Sequence, residues 1–350
     1  MDKMVIQTQI ISADRVRLCE REFRGRRWFW RHLLLLSLAI ETVFPVAGLA
    51  QGLITVRYGM VSKSGLYWAH YVGEAKGFFR DEQIREEPVL TRSSSLSVQV
   101  LIANSVDMVG VDPAPVILSV EKGSDLAIIA GQINKPTYSV VVRSDIKSIE
   151  DLRGKTLGVS NVKTGEVVFL KKALSKYGLH EGDYQLANGG GAADRFAAMQ
   201  KGVMAGTVLP SPFDFRLQDV GLRILLATSE VVRDYQFLVE TVRRSWAKAN
   251  EPTLIRYLRA LRRSYNWMNE PANREDASAI LAKELNLEPR YAQRSYDTWI
   301  AKEGAYSLDI KQVAFQPVLE YLGETGELKP PLPVPKKYLD LTYLERAGVR

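Results

Sequence analysis

The sequence predicts an α/β chain of two similar lobes, each a mixed, mostly parallel sheet flanked by helices, with two crossover segments serving as hinges. Three observations predict this. The phrase Ser105-Val106-Asp107-Met108-Val109-Gly110-Val111-Asp112-Pro113-Ala114-Pro115 recurs ninety-seven positions later as Gly202 to Pro212. In both copies a small or polar turn leads into a buried strand-like run that ends at a Pro-x-Pro pair able to open a helix. Short β-rich runs also alternate with helical periods. Finally, 350 residues, 46% of them hydrophobic and 25% charged, suffice for two ordinary cores.

The elements follow in order. Ile54 to Gly59 reads as a strand, Val61 to Gly65 as a polar loop, and Leu66 to Lys76 as a helix stopped by Gly77, which suits a C-cap. Pro88 to Thr91 is a strand, Ser94 to Ala103 a helix, and Asp107 to Val111 a strand ending in Asp112-Pro113. Ala127 to Gln132 and Tyr138 to Arg143 add strands, the second carrying the chain into the other lobe. There Thr156 to Ser160, Tyr184 to Ala187 and Ile224 to Ala227 are strands; Gly165 to Tyr177, ended by Gly178, and Ala192 to Lys201 are helices. Tyr235 to Thr241 reads as the return crossing. Helices near Thr253 to Asn269, Arg274 to Glu284, Pro289 to Ala301 and Ile310 to Leu322 complete the chain, and Lys329 to Pro335 forms a rigid surface strap. The division is therefore 51–139 plus 236–350 for lobe 1 and 140–235 for lobe 2.

Residues 1–50 read as an export signal. Arg24, Arg26, Arg27 and Arg31 precede the apolar run Leu33 to Ile40, and Gly48-Leu49-Ala50 is a small-x-small cleavage pattern leaving Gln51 first. An uncleaved anchor is the alternative, though Glu41 and Pro45 interrupt an already short stretch. Sec-type and twin-arginine export both remain open. The net charge of +7 falls to +4 beyond residue 50, with no basic cluster interleaved with aromatics, so a nucleic-acid partner is not expected.

The only cysteine, Cys19, lies before the apolar run, so it is not the acylated residue of a lipoprotein signal, and the mature chain holds no thiol. Its two histidines, His70 and His180, match no metal-ligand spacing, and each reads as a surface or partly buried side chain. With no G-x-S-x-G and no Walker A sequence either, neither a cofactor nor catalysis is expected.

Glu74-Ala75-Lys76-Gly77-Phe78-Phe79, Ala103-Asn104-Ser105-Val106-Asp107, Glu121-Lys122-Gly123-Ser124-Asp125-Leu126 and above all Ile149 to Val159 resemble the nitrate/sulfonate/taurine-type solute-binding proteins of ABC importers. That family also includes binding proteins for thiamine-pyrimidine precursors. The resemblance spans roughly residues 53 to 345. It implies a type II periplasmic-binding-protein fold, a monomeric periplasmic protein, a small-molecule ligand held between the lobes, and permease and ATPase partners. Met204 stands where the family often has an acidic residue, as Asp107 does in the first copy, which leaves that local salt bridge open.

Candidate ligand contacts sit where strands end and helices begin: Ser64, Gly65, Leu66 and Tyr67; Ser93, Ser94 and Ser95; Asp112, Pro113 and Ala114; Ser160, Asn161, Lys163, Thr164 and Gly165; Gly190 within a triple glycine; and Pro210, Ser211 and Pro212. In the resembled family these strand ends line the cleft. Helix N-termini carry free N–H groups and partial positive charge, which suits a small organic anion. Ser93 to Ser95 and Thr164 are also good N-caps in their own right. Asp112 before Pro113 needs no ligand to explain it; if it faces the cleft, the ligand carries a cation or hydroxyl beside its anion. Two further readings stand beside transport. An enzyme of the thiamine-pyrimidine-synthase-like branch would need histidine and cysteine chemistry, and a periplasmic sensor subunit for a receptor kinase would use the same hinge.

Overall fold

The computed structural model describes residues 52–162, 164–231 and 235–348. The export signal at 1–50, with its cleavage site and Cys19, and Lys163 lie outside the described residues. Two five-stranded sheets organise the rest. The first runs β2 (Ile84–Leu90), β1 (Ile54–Met60), β3 (Met108–Val111), β10 (Leu238–Arg243), β4 (Leu126–Ile133). The second runs β7 (Gln185–Asn188), β6 (Thr156–Val159), β8 (Gly206–Pro210), β5 (Tyr138–Val142), β9 (Arg223–Ala227).

The two orders superimpose, and each explains why the phrase repeats. β3 pairs parallel with β1 and antiparallel with β10; β8 pairs parallel with β6 and antiparallel with β5. The repeated residues thus occupy the central strand of each sheet, where both faces are covered and a continuous apolar run is required. The copies diverge at their ends. Pro113 opens the helix Pro113–Glu121, whereas Pro210 closes β8 and the following helix waits until Phe213. Asp107 accepts from the backbone and guanidinium of Arg57, at 2.7 Å for the ion pair. Met204 has no such arginine; it is buried over Gly158, where an added Cβ would lie 2.4 Å from its sulfur.

The chain leaves β4 at Ile133 and enters the second sheet at Tyr138, then returns between Ala227 and Leu238. The crossings therefore lie beside the expected segments rather than on them. Tyr138–Val142 is wholly buried and paired on both sides inside the second sheet, and Leu238–Arg243, buried up to the half-buried Arg243, is paired on both sides inside the first. Gly77 and Gly178 follow their helices with φ of 74° and 80°, a left-handed conformation glycine adopts without steric cost. The expected helix at Pro289 runs to Ser295 and continues as a π-helical turn, Tyr296–Lys302, which places Trp299 inward.

The sheet edges differ. β2 carries Arg85, Glu86, Glu87 and Pro88. β4 is buried along its whole length, and the chain's later segments lie along it: Leu339 bridges Ile128, Tyr306 bridges Ile133, and Ile128 exchanges backbone bonds with Tyr338 and Asp340 at 2.9 and 2.8 Å. The proline strap is pinned through Leu332, against which Gly323 leaves no room for a Cβ.

Candidate functional site

Between the two sheets lies a cavity of about 30 Å³, room for roughly one water. Each sheet contributes the starts of two helices to it. Ser94 begins Ser94–Ile102 and Asp112 caps Pro113–Glu121; Thr164 precedes Gly165–Lys176 and Ala192 begins Ala192–Gln200. Four helices of eight or more residues therefore begin at this cavity, each bringing the partial positive charge of its N-terminus; the one at Pro113 offers no free N–H in its first turn, because Pro113 and Pro115 have none and Ala114 donates to Asp112. Leu66, Tyr67, Ser160 and Pro210, all expected, line the same cavity.

Asp112 caps its helix, as expected, and also borders the cavity. Its Oδ1 accepts from the Ala114 amide at 2.7 Å as a helix cap, and its own amide donates to Ser94 Oγ at 3.3 Å. Oδ2 is buried without a hydrogen-bond partner and faces the start of the opposite lobe's helix at Gly165. Burial pushes this carboxyl up to about 7, against the pull of the Ala114 and Gly165 amides, with Glu166 reinforcing the rise.

Other expected residues shape the site from behind its lining, and Thr164 does so while lining it. Ser93 caps its helix through Leu96, and Ser95 points to an outer groove with Gln99 and Lys122. Pro113 and Ala114 are the buried first turn behind Asp112. Thr164 does not cap: its Oγ1 turns back to the Asn161 carbonyl at 2.7 Å. Gly190, at φ 73°, offers its carbonyl to Arg195. Ser64 is buried with its amide on Tyr71 Oη at 3.2 Å.

The lobes touch here. A Cβ on Gly65 would lie 2.5 Å from the Ser211 carbonyl oxygen, and one on Gly165 would lie 1.7 Å from Asp112 Oδ2. Trp299 Nε1 donates to Ser211 Oγ at 2.7 Å, and Ser211 in turn donates to Asp214; Pro212 caps the helix Phe213–Gln218 beside them.

The sequence reading missed Tyr138, Glu166, Arg195, Phe237 and Leu238, which also line the cavity. Glu166 and Arg195 pair at 3.3 Å, both nearly fully buried. Glu166 also accepts from the Ser160 amide, and Arg195 spends its remaining donors on the carbonyls of Val208 and Gly190. The guanidinium is therefore a brace for the loop and the end of β8, leaving the helix starts as the polar groups open to a ligand. His70, expected at or near the surface, is instead buried in the first lobe between Glu86 and Glu240, because those carboxylates supply the partners a buried imidazole needs.

The family profile described as NMT1/THI5 like matches residues 67–274, more than half of the chain. YtlA of Bacillus subtilis (strain 168), which carries a binding-protein name, is 22% identical over 87% of this chain and 94% of its own. The ligand-binding component of an ABC-type import system from Staphylococcus aureus, solved with zinc bound, superimposes with a TM-score of 0.72 at 13% identity, over 85% of this chain and 99% of that one. The alkanesulfonate-binding protein SsuA from Xanthomonas axonopodis pv. citri, bound to MOPS, gives 0.68 at 17% identity, over 82% and 99%. At these identities the structural likenesses establish the fold.

Proposed function

The chain belongs to the NMT1/THI5-like family, and from that premise we propose that it is the periplasmic solute-binding component of an ABC importer. It captures a small organic anion, a sulfonate, carboxylate or related compound, between its lobes and hands it, as a monomer, to permease and ATPase subunits. The observation that carries this reading is the meeting of four helix N-termini, two from each lobe, at one buried cavity. The free Oδ2 of Asp112 refines it: the ligand bears a hydrogen-bond donor beside its anionic head. A catalytic reading gains no support, since His70 lies in the first-lobe interior, His180 is exposed, and the only cysteine is Cys19.

Thermal unfolding of the purified protein with sulfonates, aliphatic and aromatic carboxylates, nitrate and pyrimidines tests this, because a ligand that binds the native state raises Tm. At least one anion raises Tm, and Thr164→Ala or Ser94→Ala weakens its binding by about 0.5–2 kcal/mol. A screen in which anions leave Tm unmoved would overturn the proposal.

A further inference from the structure

A roomier hollow lies away from the cleft. A cavity of about 550 Å³, within the range of small-molecule sites, lies in the first lobe between the helix Trp68–Ala75, the edge strand β2 and the helix Arg274–Leu285. Its walls are apolar: Met60, Ala75, Pro88, Ala279, Ile280 and the ring of Tyr71. Two ion pairs tie the flanking elements together, Lys63 to Glu284 at 2.6 Å and Lys76 to Asp276 at 2.9 Å.

Its polar floor is Glu86 and His70. Glu86 is fixed through one oxygen only: Oε2 accepts from Tyr257 Oη and sits 2.9 Å from His70 Nδ1. No hydrogen bond reaches Oε1 among the described residues, and Glu86 keeps a small exposed fraction, which leaves that oxygen to the cavity. His70 is held on its other side by Glu240, 3.2 Å from Nε2. Burial alone would lower its pKa, but Glu86 and Glu240 more than offset that and raise it to about 10. The imidazole thus lies between two carboxyl groups, of which Glu240 is wholly buried and has its pKa raised by that burial, while Glu86 borders the cavity. Around the rim Lys63, Lys76 and Lys283 balance Glu74, Asp276 and Glu284 in sign.

We propose that this cavity is a second ligand site, separate from the inter-lobe cleft, for a small organic monocation: a primary amine on a compact apolar body, its ammonium on Glu86 Oε1 and its body against Met60, Pro88 and Ile280. The match is one of charge and shape. An ammonium supplies the donor that Oε1 lacks, and the apolar walls gain from burying a hydrocarbon. A carboxylate in the same position would face the carboxylate of Glu86, with Lys283 at the exposed rim as the one lining lysine outside the two ion pairs.

Saturation-transfer NMR titrations of the full chain with 2-phenylethylamine, 2-phenylethanol and 3-phenylpropionate decide the matter. The amine binds at least about tenfold more tightly than the alcohol, and the carboxylate more weakly than both. Glu86→Gln removes the preference for amine over alcohol. Because that change also disturbs His70 and Tyr257, a second variant, Ala279→Trp, fills the cavity from its exposed wall without touching the floor and weakens the amine at least about tenfold with Tm unchanged. Equal affinity for amine and alcohol in the native chain, or amine binding undiminished in Ala279→Trp, would overturn the site.

Discussion

A single carboxyl, Asp112, concentrates the chemistry of the cleft: one oxygen caps a helix and the other waits for a donor. Its elevated pKa makes stability depend on pH. An unfolded aspartic acid loses its proton near pH 4, the folded one near 7, so between those values the native state holds the extra proton. Stability from this group therefore falls as pH rises through that window and levels off above it, by at most about 4 kcal/mol. Asp112→Asn keeps an oxygen for the Ala114 amide and removes the ionisation, so its urea midpoint declines less between pH 5 and 8 than that of the parent. Parallel declines in the two chains would refute the assignment. The cap itself was legible in the sequence because Asp before Pro is a local signal. Glu166 with Arg195, 29 positions apart, and His70 with Glu240, 170 apart, leave no local trace, since only the folded topology makes them neighbours. The same holds for Tyr138 and Phe237, which read in the sequence as ordinary strand and crossing residues.

At the scale of elements the sequence spoke clearly where a rule is local. Helix ends at Gly77 and Gly178 follow from glycine's freedom at positive φ, and strands β3 and β8 follow from unbroken apolar runs bounded by turns. The crossings were displaced by a few residues because strand periodicity marks where a strand is, not which sheet it joins. Thr164 shows the limit of cap rules. The hydroxyl has an alternative acceptor three residues back, the Asn161 carbonyl, and takes it, leaving the helix start at Gly165 uncapped and open to the cleft. In the second copy Pro210 ends the strand and Pro212 stands at the N-cap of Phe213–Gln218, so the helix opens later in the phrase than in the first copy. Similar phrases thus fix the central strand and leave its exit to the neighbours.

For the whole molecule the decisive dimension is the cleft. A cavity of about 30 Å³ is an order of magnitude below the usual volume of a small-molecule site, so admitting an organic anion requires the lobes to part. Two glycines set how far they approach. Gly165→Ala places a methyl into Asp112 Oδ2 and Gly65→Ala into the Ser211 carbonyl, contacts that exist only across the cleft. Each variant keeps its lobes folded, with an unfolding midpoint within about 1 kcal/mol of the parent, yet scatters X-rays with a larger radius of gyration and binds the cleft ligand at least about tenfold more weakly. An unaltered radius and affinity in both variants would show a cavity that works without closure.

The segment lying along β4 has a consequence beyond packing. β2, at the other margin of the first sheet, protects itself with charge and a proline; β4 is apolar except for Gln132 and carries neither charge nor proline. At Ile128 its backbone donor and acceptor are taken by Tyr338 and Asp340, while Gly131 and Gln132 bond to Leu308 and Ser307. Shortening the chain to end at Pro333 would uncover a sticky template that a second copy can extend, and light scattering should then report concentration-dependent self-association absent from the full-length protein. On that outcome the Tyr338 to Asp340 segment would be a guard on the first sheet, covering at Ile128 an edge that a second copy could otherwise extend.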